Sequence, residues 1–263
     1  MSRKELKQVF EDTRRLYTSN FILKDSIKQS VLRQEVWKEG EVERLPHDDL
    51  GSPAKIFVSD KTTLSAASQY AREGMRTFVL NFASAKRAGG GTENGAMAQE
   101  ECLCRISTLY PCLKADTPYH NFYKPHKDNT FLNNADCIYT PNVTVFKSDE
   151  KVPKLLPIHD WYTVDIISCA APNLSHNSIN EKQLFDEHVK RAENIIEIAL
   201  RHSCEALILG AFGCGVFNNR ASIVAIAWRD VLKRHKTKLK VVEFAIPKSS
   251  NSRNYEVFKQ YIE

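Results

Sequence analysis

Glu100 and Glu101 stand side by side behind Gln99, with seven residues between that trio and the run Gly89, Gly90 and Gly91, in a chain of 263 residues with only 10 glycines. Two adjacent carboxylates at the start of a helical stretch gain from the helix dipole, by roughly 0.3–1 kcal/mol each. One acid would secure most of that gain, and two repel each other. If both face a pocket, burial and repulsion raise a carboxyl pKa while the dipole lowers it, and a bound anion raises it further, toward the range of a general acid. The glycines carry no side chains to hold a ligand off the backbone. A second glycine loop, "GAFGCGVFNN" from Gly210 to Asn219, follows an all-apolar stretch. Its amides, with the N-terminus of the helix after it, form a donor set suited to phosphate oxygens. It lacks the lysine of a phosphate-loop motif and is no dinucleotide fingerprint; a tight turn is its alternative reading.

Other reactive residue types carry less. Cys102, Cys104, Cys112, His120, His126 and Cys137 fall close together without any metal-knuckle spacing, so no metal is expected. Cys214 sits in the second glycine loop with no evident base, which argues against a cysteine nucleophile. His188 reads as a core histidine on a helix face. The stretch "YHNFYKPHK", Tyr119 to Lys127, suits either a solvated loop or a polyanion contact. Asn173, at the end of an apolar run, is a candidate ligand contact.

The elements that must position these residues alternate. Amphipathic helical spacing runs through "SRKELKQVFEDTRRLYTSNF" and "SIKQSVLRQEVWKEG", and "GEVERLPHDDLGSPA" then punctuates the chain. Strands are expected at "KIFVSD", "TFVLNF", "CIYTPNVTVFKSD", "YTVDIISCAAP", "EALIL" and "KVVEFAIP", with Pro141 placing the third near a sheet edge. Helices are expected at "TTLSAASQYAREG", "AMAQEECLCRISTLYPCL", "EKQLFDEHVKRAENIIEIALRHS", "IVAIAWRDVLKRH" and "NYEVFKQYIE". In the second of these, Ala98, Cys102, Ile106 and Leu109 are the expected buried face. The segment from Lys114 to Asn134 reads as a surface insertion. Such alternation predicts an α/β fold: a mixed sheet covered by helices on both faces. Two regions are expected, a helical N-terminal accessory part (1–55) and a catalytic domain (56–263). Net charge of +5, scattered along the chain, indicates no dedicated nucleic-acid module. There is no signal-peptide pattern and no apolar run of membrane length, and seven cysteines without a framework indicate reduced thiols in a cytosolic compartment, or a nuclear one in a eukaryote.

"GGGTENGAMAQEE" resembles the signature of the poly(ADP-ribose) glycohydrolases, and "VLNFASAKRAGGG", "CRISTLYPCL", "IYTPNVTVFKSD" and "ALILGAFGCGVFNN" resemble its microbial branch. The likeness runs from about Thr77 to Pro247. It implies a macrodomain, a three-layer α/β/α sandwich, acting without a cofactor on ADP-ribose, poly(ADP-ribose) or ADP-ribosylated proteins, as a monomer. By that resemblance Glu101 is the catalytic acid and base, Glu100 holds ribose hydroxyls, and Gln99 supports them. Gly89, Gly90 and Gly91 would pass the distal ribose and phosphates, Gly213, Cys214 and Gly215 match the diphosphate-binding loop, Phe217 would pack beside the ribose, and Asn81 and Val216 are further expected substrate contacts. Ser84 stands where the family usually has Asn, a residue that helps hold the distal ribose, and Ala88 where the microbial pattern often has Pro. The expected activity is cleavage of the ribose–ribose O-glycosidic bond, mainly at chain ends. A mono-ADP-ribosyl hydrolase and a non-catalytic ADP-ribose-binding module are the alternatives.

Overall fold

A computed structural model describes residues 1–43, 53–128, 130–235, 239–250 and 252–263. Two amphipathic helices, α1 (Arg3–Ser19) and α2 (Phe21–Leu32), open the chain. Ser2 and Glu5 close a capping box on α1, and Asn20 caps α2. The sheet that follows is built from β1 (Glu35–Trp37), β2 (Lys55–Ser59), β3 (Thr77–Phe82), β4 (Cys137–Val145), β5 (Tyr162–Cys169), β6 (Ala206–Leu209) and β7 (Val241–Ala245). Their order across the sheet is β1-β4-β5-β3-β6-β7-β2. β5, β3, β6, β7 and β2 run parallel, while β1 and β4 run antiparallel to their neighbours.

Helices cover both faces. Against one pack α8 (Glu181–Arg201), α9 (Ala221–Arg234) and α10 (Asn254–Ile262), around a core that includes Phe78, Leu80, Ile196, Trp228 and Phe244. Against the other pack α1, α3 (Thr63–Arg72), α4 (Gln99–Ile106) and α5 (Leu109–Leu113), around Phe10, Val79, Leu103, Tyr110 and Ile166. The three-layer α/β/α arrangement with a mixed sheet is therefore present. Side chains alternate across β3, so Asn81 falls on the Val79 face toward α4, and Phe82 on the face of Phe78 and Leu80.

Local assignments differ from the sequence expectation in four places. The helix expected through "SIKQSVLRQEVWKEG" stops at Leu32, because Glu35, Val36 and Trp37 pair with Tyr139, Ile138 and Cys137. The N-terminal segment thereby contributes the edge strand of the main sheet. The single helix expected from Ala96 to Leu113 is two helices. Between them the chain bonds to the end of β4: Thr108 N–H donates to Thr144 O at 2.9 Å, and Thr144 N–H to Thr108 Oγ1 at 2.9 Å. The buried face of α4 is Glu100, Glu101, Leu103 and Cys104 rather than Ala98 and Cys102, which are exposed and half-buried. Finally, the surface insertion expected at Lys114–Asn134 is helical in part and anchored in the core. Short helices α6 (Asp116–Pro118) and α7 (Lys124–His126) flank a π-helical stretch, Tyr119–Tyr123, anchored by buried Phe122, Tyr123 and His126. Pro141 lies at the irregularity between Thr140 and Val143, past the last β4 residue that β1 pairs with. Of the punctuated stretch after Gly40, residues 44–52 lie outside the described part. Among the described residues no helix is long and apolar enough to cross a membrane.

Candidate active site

The parallel strands end on one edge of the sheet, where a cavity of about 830 Å³ opens. Its walls come from the end of β3 and the loop after it (Phe82, Ser84, Gly90), the start of α4 (Met97–Leu103), the loop after β6 (Ala211–Gly213, Gly215–Phe217) and the segment after β7 (Ile246, Pro247, Ser249, Ser252, Asn254). Thr62, Thr63 and Leu64 at the start of α3, with Asp149, complete it. Ligand sites beyond the carboxyl ends of parallel strands are the general expectation for open α/β sheets.

Glu100 and Glu101 both line this cavity and are only 3% and 6% exposed. Each carboxylate is held at both oxygens, by different groups. Glu101 Oε1 accepts from Gly91 N–H at 2.7 Å and Oε2 from Ala98 N–H at 2.8 Å, so the side chain folds back over the first turn of α4. Glu100 Oε2 accepts from Ser84 N–H at 2.9 Å, and Oε1 from Asn81 Nδ2 at 3.3 Å. Asn81 also donates to Ser168 Oγ at 2.9 Å, its register partner on β5. Burial pushes the Glu100 carboxyl up to about 8, with Glu101's charge adding to the rise and the Ser84 and Asn81 donors opposing it. At neutral pH Glu100 is therefore mostly protonated in the free protein.

Gln99 is spent on the scaffold. Its Oε1 accepts from Phe82 N–H at 2.9 Å and its Nε2 donates to Leu80 O at 2.7 Å, so the amide prolongs the hydrogen bonding of β3 and ties that strand's end to the helix bearing the acids. The three glycines serve the protein's own close packing. Gly90, the one of the three that lines the cavity, has φ +57°; a Cβ there would lie 3.0 Å from Glu100 Oε2 and nearer still to Glu101 Oε1. Gly89 backs onto the Tyr110 ring and Gly91 onto Ala96 Cβ. Ser84 turns its hydroxyl onto Arg87 N–H (3.2 Å), and its backbone, not its side chain, meets Glu100.

On the other wall, Asn219 organises the second glycine loop. Its Nδ2 donates to Pro172 O (2.7 Å), Gly213 O (3.1 Å) and Phe217 O (3.1 Å), and its Oδ1 accepts from His188 Nε2 at 2.8 Å. Burial holds His188 down to about 4, so it is neutral and its Nε2 carries the proton. Arg191, one turn along α8, donates to Ala170 O, Leu132 O and Asn134 O, bracing the neighbouring rim. The sequence marked His188 only as a core residue and passed over Asn219 and Arg191; their three or four simultaneous partners depend on contacts with no local pattern. Val216 and Met97 are exposed apolar residues on opposite walls, 74% and 66% accessible. Gly215 faces open space: a Cβ at that position would meet no atom within 4 Å. Cys214 directs its Sγ to Phe212 O and does not line the cavity; burial pushes its thiol well up. Asn173 also lies off the cavity wall, closing a turn with Ser175 through its Oδ1. His126 bonds to Phe122 O and Asn134 Oδ1, and among the described residues no three His, Cys, Asp or Glu side chains gather as a metal site.

Two buried acids in a cleft, one kept neutral by burial, with fixed amides around them, can hold a sugar by its hydroxyls while moving a proton at a glycosidic oxygen. Comparison with known proteins points the same way. The family description "microbial-type PARG, catalytic domain" matches residues 8–148. No curated protein sequence matches. The chain is similar to the crystal structure of poly(ADP-ribose) glycohydrolase from Thermomonospora curvata, at 26% identity and TM-score 0.87, over 98% of this chain and 99% of that one. The same enzyme bound to the inhibitor ADP-HPD gives 27% and 0.85, over 97% and 98%. Poly(ADP-ribose) glycohydrolase from Deinococcus radiodurans in complex with ADP-ribose gives 26% and 0.76, over 89% and 96%.

Proposed function

The chain belongs to the microbial-type poly(ADP-ribose) glycohydrolases, and from that premise we propose the following division of labour for cleavage of the ribose–ribose O-glycosidic bond. Glu101 enters the step carrying a proton, gives it to the departing ribose oxygen as the bond breaks, and then, as a carboxylate, takes a proton from the water that attacks the oxocarbenium-like centre. One carboxyl alternating between acid and base is the economy of glycoside cleavage. Glu100, neutral at rest, both donates to and accepts from the hydroxyls of the distal ribose. The diphosphate lies along Gly213–Phe217, where the Asn219 network fixes the loop, and the adenosine extends toward the segment from Ile246 to Asn254. Release is of ADP-ribose, mainly from chain ends.

The observation that carries this reading is the paired carboxylates, each anchored by separate donors in a cavity large enough for a nucleotide sugar. A binding module has no need of two buried acids. The test is incubation with poly(ADP-ribosyl)ated and mono-ADP-ribosylated protein, separating free ADP-ribose from oligomers. ADP-ribose from the polymer alone is expected. Release from the mono-modified sample would make the chain a mono-ADP-ribosyl hydrolase, and tight binding without release from either would make it a binding module. A Glu101→Gln variant should retain ADP-ribose binding and lose about 10²–10⁴-fold in turnover, the worth of positioned acid–base catalysis.

A further inference from the structure

Arg105 is 2% exposed and lies on α4 one helical turn beyond Glu101. A guanidinium is costly to remove from water, and burial pulls this one below its ordinary pKa. Among the described residues no carboxylate forms an ion pair with it, its Nε and Nη1 have no hydrogen-bond partner, and the Cys102 side chain is its nearest polar neighbour on α4. What it does hold is specific. Helical side chains lean back toward the helix N-terminus, and Arg105 Nη2 donates to Ala96 O, in the turn just before α4.

That contact closes a ring. Ala96 N–H donates to Gly91 O at 3.1 Å, Gly91 N–H to Glu101 Oε1 at 2.7 Å, and Glu101 returns the path to α4, which carries Arg105. The second amide on Glu101, from Ala98, belongs to the same turn. Behind it, Thr13 Oγ1 on α1 donates to Arg105 O, and Arg3 O sits against Gly95.

We propose that Arg105 is a positioning residue for the hydrolysis, clamping the 95–98 turn so that both amides on the Glu101 carboxylate keep their aim while that group changes charge. Its own charge attracts Glu101 through the helix they share. The inference rests on the assignment of Glu101 made above.

The experiment is a mutant cycle on the full chain, measuring kcat and KM on poly(ADP-ribose) and ADP-ribose affinity by calorimetry. Arg105→Met is expected to lower kcat by at least about tenfold while KM and ADP-ribose affinity stay within about threefold. Arg105→Lys, which keeps a cationic donor for Ala96 O, should recover kcat to within about threefold of the parent. In a Glu101→Gln background, Arg105→Met should change the residual turnover by less than about twofold, because two residues acting through one step are not additive. The proposal is overturned if Arg105→Met leaves kcat intact, if the same fold loss recurs in the Glu101→Gln background, or if binding weakens as much as turnover. Should Arg105→Met not fold, Arg105→Gln replaces it with the same expectations. Undiminished turnover in Glu101→Gln alone would remove the Glu101 assignment, and this inference with it.

Discussion

A carboxyl pushed up to about 8 is a statement about stability as well as chemistry. Unfolded, Glu100 titrates near 4.5; folded, it keeps its proton to about 8. The folded state therefore binds more protons between those values, and the stability this group contributes is full below pH 4.5 and lost as pH rises toward 8. A Glu100→Gln variant has nothing to ionise there. Its melting temperature, relative to the parent, should climb steadily from pH 5 to pH 8 and level off above; a difference that stays constant across buffered melts would contradict the burial argument. Gly90 offers a second check. At φ +57°, with both carboxylates standing where a Cβ would go, Gly90→Ala should cost about 1–3 kcal/mol in urea unfolding and abolish turnover more thoroughly than it lowers stability. The acid pair was legible in the sequence because two carboxylates at a helix start, after a glycine run, are chemically odd. Which of the two would be driven neutral was not. That depends on how deeply the fold buries each carboxyl, and on how far the donors Ser84 and Asn81, brought in by the strand end and its loop, offset that burial.

The loop after β6 is an element whose glycines separate into scaffold and surface. Gly213 has φ +76°, and a Cβ there would press on Ala171 and Asn219, whereas Gly215 has an ordinary φ and open space before it. Gly213→Ala should therefore unfold more readily, while Gly215→Ala should melt as the parent does. If the diphosphate runs along this loop, the methyl of Gly215→Ala enters its path and weakens ADP-ribose binding by about 1–2 kcal/mol, roughly tenfold in Kd. Calorimetry beside thermal melts separates the two, and unaltered affinity would move the diphosphate elsewhere. Most elements were legible for the same reason this loop was: apolar runs of strand length, helical spacing, and glycine at the joins. The failures share one cause. β1 reads as helix because its pairing partner lies about a hundred residues away, and the break after Ile106 is invisible because Thr108 and Thr144 make it together.

Across the whole molecule, the first two helices read in sequence as an appendage to a catalytic domain, yet among the described residues none before Thr62 lines the cavity, and α1 packs behind the acids instead. Phe10 is fully buried and meets Tyr110 edge to face, ring centroids 4.8 Å apart. Tyr110 in turn presses its ring on Gly89 and donates its hydroxyl to Glu93 at 2.6 Å, within the glycine loop. Lys147, 2% exposed, reaches Asp12 on the same helix at 2.7 Å. A chain of contacts thus runs from the N-terminal helix through one tyrosine to the loop that holds Glu101. Phe10→Ala should cost about 3–5 kcal/mol of unfolding free energy, the usual range for emptying a buried aromatic site. Because the vacated volume lies directly under Tyr110, turnover per folded molecule should also fall, whereas Phe10→Leu, which refills most of the space, should cost less than about 1.5 kcal/mol and keep activity. Urea unfolding and initial rates on the same preparations check both. If Phe10→Ala proved destabilised yet fully active when folded, α1 would be a brace for the fold alone. If loss of rate tracks loss of packing at Tyr110, the N-terminal helix is part of what aims the catalytic loop.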